Sequence, residues 1–226
     1  LADLESADAP TRLEALGGVY VAYPSASPSP AADGAGAGLS DAVTAAREGH
    51  LADALVATDA GLAALLGSIA ISHALAANLA RDDPSWTLDR VETAAALDPA
   101  AAAELARMHD AARFAYETLA ATVDGDEREG LLARRDSHAV AVETLLDAPG
   151  VADLREGVYV VDLDVPPAEA VALAEQGIGE AYLEAFASSA PERSQELLVA
   201  AATYVRAALD ASGAEVPALP GLEAVS

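Results

Sequence analysis

The chain has 226 residues; 53% are hydrophobic but only 4% aromatic, and the formal net charge is -25. Alanine fills about a quarter of the positions and all 12 basic residues are Arg. Charge this negative repels phosphate backbones and anionic headgroups, which excludes nucleic acid as a partner, and the absence of Cys removes disulfides, thiolate zinc sites and thiol nucleophiles.

Residues 1–39 open with a short polar stretch, pass through GGVYVAYP and end in PSASPSPAADGAGAG. The last piece is linker by composition and predicts an extended N-terminal arm. The numbering opens at Leu1, which points to a processed or trimmed N-terminus. The first predicted helix runs from Ser40, its N-cap, to about Thr58. The second follows Asp59 and ends near Arg81. Ala60 to Ala80 lacks Asp, Glu and Arg and is long enough to span a bilayer. Its Ser68, Ser72, His73 and Asn78, with acids at both ends, fit a buried helix better.

A short third piece starts after Thr87, with Trp86 placed to seal a bundle end. Asp98-Pro99 sets a capping side chain before Pro at the first helical position, and that fourth helix continues to about Val123. Asp124-Gly125-Asp126 breaks it; the fifth helix runs to Leu146, before Pro149-Gly150. GVYVVDLDVPP, 157–167, reads as extended. The sixth helix covers about 168–188, and Ser189 to Glu192 has the capping-box spacing that opens a seventh, ending near Asp210. From Ser212 the tail SGAEVPALPGLEAVS is again linker-like. GVYV occurs at 18–21 and at 157–160, as a small paired ribbon or as two separate loops.

The fourth helix carries a core stripe of Leu105, Met108, Ala112, Ala115, Leu119 and Val123, with His109 at its edge. In the fifth, the row 131, 135, 138, 142, 145 puts Arg135 and His138 among apolar residues. In the sixth, Val171, Glu175, Ile178 and Tyr182 form one row, so a carboxylate lies inside an apolar stripe. The seventh offers Leu197, Ala201, Tyr204 and Ala208. A carboxylate in that position is paired, protonated or metal-bound, because an unpaired buried charge is costly. The structural reading is a buried ion pair of Glu175 with Arg135 or His138; the functional one is a metal or proton-transfer site. A guanidinium on the same interior opposes a metal, and the chain has no Glu-x-x-His pair. It also lacks a phosphate-binding Gly-rich loop, a G-x-S-x-G and a His-Glu-x-x-His motif. His50 and His73 read as surface or packed residues.

The runs RRDSHAVAVETLL, GVYVVDLDVPPAEAVALAEQGIGEAYLEAF and PERSQELLVAAATYVRAAL, within 131–209, resemble an actinobacterial ferritin-like family of secreted and lipoprotein type whose function is unassigned. ARMHDAARFAYETLA fits that family's first helix, and DAGLAALLGSIAISHALAANLA its upstream helical extension. The resemblance implies a ferritin-like four-helix core at 98–211 preceded by a helical hairpin at 40–97; with the extended arms that composition gives at 1–39 and 212–226, the chain reads as all-α. The family's Glu-His pair falls on His109-Asp110, its second-helix His on His138, and its third-helix Glu and Tyr on Glu175 and Tyr182. His in place of Glu weakens an inherited metal site. No catalytic residue, cofactor or metal is therefore expected; if an interior site exists, its polar candidates are His109, Arg135, His138, Glu175 and Tyr182.

The resemblance also implies export to the outer face of the cytoplasmic membrane or the cell envelope. Membrane contact would come only through a partner or a lipid anchor that this chain does not carry. Two functional expectations follow. One is a non-catalytic accessory or interaction subunit of a membrane or envelope complex, such as a respiratory assembly, with arms that wrap a partner protein. The other is a divergent metal- or ligand-binding bundle.

Overall fold

The computed structural model describes residues 1–18, 38–77, 97–161, 164–190 and 193–222, and the helical backbone of 78–81. Among them are seven helices and no strand: α1 (Ala2–Ala15), α2 (Leu39–Val56), α3 (Ala60–Arg81), α4 (Pro99–Ala120), α5 (Gly125–Leu146), α6 (Pro167–Ser188) and α7 (Gln195–Ser212). Short connections fold α2 on α3, α4 on α5 and α6 on α7; α4 packs on α6, and α3 lies against both α6 and α7. One apolar core runs through all three pairs, from Ala54 and Leu75 through Leu105 and Leu145 to Phe186 and Leu198.

Local chemistry explains most boundaries. Asp98 accepts from the amides of Ala100 and Ala101, with Pro99 opening α4 as the sequence predicts. Asp59 accepts from the amide of Leu62 and starts α3. Gly213, at φ 66°, ends α7 in the left-handed conformation that favours glycine. Ser40 is not the N-cap of α2: that position falls to Gly38, and Ser40 lies inside the first turn. The seventh helix also begins later than expected, because Ser194 rather than Ser189 caps it by accepting from the amide of Glu196.

α3 is long and apolar enough to cross a membrane, but 72% of the qualifying window Ala60–Ala77 is buried inside the protein. Its Ser68 and Ser72 hydroxyls donate to the carbonyls of Pro220 and Pro217. Only the described parts of the two arms bear on the linker expectation, and they depart from it. Residues 2–15 are helical, and the tail after Gly213, though irregular, lies on the bundle with Val216 buried. The tail packs because its backbone carbonyls satisfy hydroxyls that an apolar helix would otherwise strand. The linker-like stretch 24–37, Trp86 and the GVYV copy from residue 19 lie outside the described residues. The second copy is irregular, with Val158 and Val160 exposed.

Candidate functional site: a closed polar cluster in the helical core

Four helices each deliver polar side chains to one point. On α4, His109 and Tyr116 are two turns apart on one face; on α5, Arg134 and His138 are one turn apart. α6 contributes Glu175 and Tyr182, two turns apart, and α7 contributes Tyr204. Glu175, His109 and Tyr182 are fully buried and His138 nearly so. Arg134 forks onto Glu175, Nε to Oε1 at 2.6 Å and Nη2 to Oε2 at 2.8 Å. Tyr116 donates its hydroxyl to the same Oε1 at 2.5 Å, and His138 Nε2 lies 3.2 Å from it. His138 Nδ1 meets His109 Nδ1 at 2.9 Å, and His109 Nε2 meets the Tyr182 hydroxyl at 3.3 Å. Tyr204 stacks on Tyr182, centroids 5.5 Å apart, with the Arg134 guanidinium 5.2 Å from its own centroid.

These contacts allow one consistent proton order for neutral imidazoles. A carboxylate only accepts, so His138 carries its proton on Nε2 and offers Nδ1 as acceptor. His109 then donates from Nδ1, and its Nε2 accepts from Tyr182. The row reads Tyr182 to His109 to His138 to Glu175, every donor matched. Burial alone would raise the Glu175 carboxyl; the bonds from Arg134 and His138 more than reverse this and hold it at about 2. Burial, and then the neighbouring His138, push His109 well below the ordinary imidazole value, so it stays neutral. Burial, then the Glu175 charge, push the Tyr116 phenol up. Burial opposes the Arg134 charge, yet the hydrogen bonds to Glu175 keep the guanidinium protonated. Arg134 and Glu175 cancel each other's charge, and the cluster reaches solvent chiefly through Arg134, whose side chain is 29% exposed.

Of the residues expected at an interior site, His109, His138, Glu175 and Tyr182 do converge. Arg135 does not: its guanidinium turns outward onto Asp136, and the partner of Glu175 is its neighbour Arg134. The rows 134, 138, 141, 145 and 135, 138, 142, 145 have equally good helical spacing, so periodicity does not separate the two arginines. His109 lies in the core rather than at its edge, in the row Leu105, His109, Ala112, Tyr116, Leu119. Tyr116 was missed, although its place on that row was the available signal. The group does not fit a metal. Both Glu175 oxygens are held by Arg134, and the two imidazoles aim Nδ1 at each other. No set of three or more His, Asp or Glu among the described residues has metal-binding geometry.

A second buried polar group sits where α1, α2, α3 and the tail meet. Arg12, 6% exposed, bonds Glu5 at 2.6 Å, Asp8 at 3.0 Å, the Ser72 hydroxyl at 2.7 Å and the Ala218 carbonyl at 3.3 Å. His73 Nδ1 lies 3.1 Å from Glu5, and its ring stacks on His50 with centroids 5.5 Å apart. Both histidines are packed, and no sequence pattern links them to residues 5–12. Compared with known protein families, curated proteins and solved structures, the chain matches none.

Proposed function

We propose that this is a non-catalytic helical protein, an accessory or interaction subunit of a membrane or envelope complex such as a respiratory assembly, acting on the outer face of the cytoplasmic membrane or in the cell envelope. In this reading α4 to α7 form a ferritin-like core, and protein partners bind the outside of the bundle. The observation that supports it is the closed hydrogen-bond account of the interior. Glu175, Tyr116, Arg134, His138, His109 and Tyr182 partner one another, which spends on structure the groups a substrate would need. Function then falls to the surface. The arms, in this reading, stay on their own bundle, since α1 and the tail are tied to α3.

The test is a gentle-detergent isolation of the tagged, full-length protein from its native membranes, read by mass spectrometry. A stoichiometric set of membrane subunits is the expected result. Protein that comes away alone overturns the proposal. The convergence of two imidazoles and a carboxylate motivates one competing reading, a divergent metal- or ligand-binding bundle, which the Arg134 contacts to both Glu175 oxygens oppose. Elemental analysis of the purified protein decides it: that reading requires near-stoichiometric metal, since structural sites bind with about 10 kcal/mol or more.

A further inference from the structure

We infer that the outer face of α6 receives the partner, and that the partner presents an amphipathic helix whose apolar row is flanked by Arg or Lys. The inference rests on the interaction-subunit reading and names its surface. Two non-helical segments lie along opposite sides of α6. Between residues 159–161, with Val165, and α4 is a groove of about 390 Å³, reaching down to Met108 and Gly177. Between the tail 214–222 and α7 is a second, of about 700 Å³, reaching Val205 and Leu209. Leu173 lines both and stands 60% exposed on the ridge between them. Val160, 96% exposed, lines the first groove, and Val158, 73% exposed, follows it two residues earlier in the chain. Contiguous exposed apolar surface beside preformed grooves is the pattern of a contact site, and a ridge between two grooves suits side chains spaced three and four apart on a helix.

Charge selects the occupant. Glu169 and Glu215 line the second groove, and Glu180 follows on the same side of α6. None of the three is in an ion pair with an Arg among the described residues. Among the described residues the one basic residue in either lining, Arg107, is already held by Glu104 at 2.5 Å and Glu156 at 3.7 Å. A second copy of the chain would bring the same acids and a net charge of -25 against this face, which opposes self-association there. Basic residues beside an apolar row meet both features at once.

A short amphipathic Leu/Lys peptide is the probe, with its Leu/Glu counterpart as control, titrated by calorimetry at moderate salt. The full-length protein should bind the first and not the second. Leu173→Glu and Val160→Glu should each weaken binding about tenfold, although both add negative charge. Val56→Glu, at a 76% exposed site on α2, should leave binding unchanged or tighten it slightly. All three variants are checked by circular-dichroism melts, and substitutions this exposed should keep the fold. Equal or tighter binding by Leu173→Glu would mean plain charge attraction and would overturn the inference, as would no binding of the Leu/Lys peptide. Isolation from native membranes separates the two proposals. If Leu173→Glu brings down the same subunits as wild type, this surface is wrong and the subunit reading stands; if wild type brings down none, both fall.

Discussion

Glu175 holds a full charge at zero exposure because Arg134, Tyr116 and His138 supply four contacts to its two oxygens. Removing one member of such a pair strands the other, whereas removing both is close to neutral. Glu175→Leu should therefore cost about 3–5 kcal/mol in urea unfolding, and Glu175→Leu with Arg134→Leu should recover much of it. Failure of the double variant to recover stability would mean that the pair does not act as a unit. The same group sets an acid limit. Its carboxyl is depressed from 4.5 to about 2 on folding, so the stabilisation is complete above about pH 5 and lost as pH falls towards 2. The shift corresponds to about 3 kcal/mol. The difference in unfolding free energy between wild type and Glu175→Gln should shrink over that window. A difference that stays constant with pH would mean that Glu175 is not ionised in the folded protein.

At the scale of elements, three helical glycines sort by what a Cβ would meet. At Gly177 the nearest atom is Met108 Cε at 3.6 Å, an ordinary contact. Gly177→Ala should stabilise the protein by about 0.5–1 kcal/mol through helix propensity alone. At Gly179 a Cβ would press on Val205 Cγ2 at 3.0 Å and on the backbone of α7 at 3.2 Å. At Gly67 it would sit 2.9 Å from Leu198 Cδ2 and 3.3 Å from Leu183 Cδ1. Gly179→Ala and Gly67→Ala should lower the melting temperature, the first because backbone cannot yield. Opposite signs at positions 177 and 179 are the check. The same logic marks what the sequence could reveal. Capping and breaking residues placed α2 to α7, and alternating three- and four-residue spacing gave the buried rows of α6 and α7, where apolar residues dominate. It could not choose Arg134 over Arg135, because adjacent residues one turn from His138 share its flank and only the neighbouring helix decides. Nor could it find α1, whose only buried residue is Arg12.

For the whole molecule, α1 shows how an acidic chain docks an element without an apolar anchor. Leu13 and Leu16 are each 42% exposed, and the helix is tied inward by Arg12, which bonds Ser72 and the Ala218 carbonyl and is neutralised by Glu5 and Asp8, and by Glu5, which meets His73. Arg12→Met should leave Glu5 and Asp8 uncompensated, and α1 should swing into water rather than bury them. Hydrogen exchange should then show protection lost over Ala2–Ala15 and kept in α4, α6 and α7. Acid should act in the same direction. Burial lowers the His73 and His50 imidazoles, while the bonds from His73 and Arg12 outweigh burial and lower Glu5. All three are therefore stabilising in their deprotonated folded form. The histidine contribution is present above about pH 6.5 and lost below it, and the Glu5 contribution follows below about 4.5. Asp8, raised chiefly by burial, opposes them, whereas Asp53 and Glu215 face the group from α2 and the tail. Protection in α1 should fall as pH drops from about 7 to 5, after correction for intrinsic exchange, while α6 keeps its own. Unchanged α1 protection across that range would show that packing outside this cluster holds the helix.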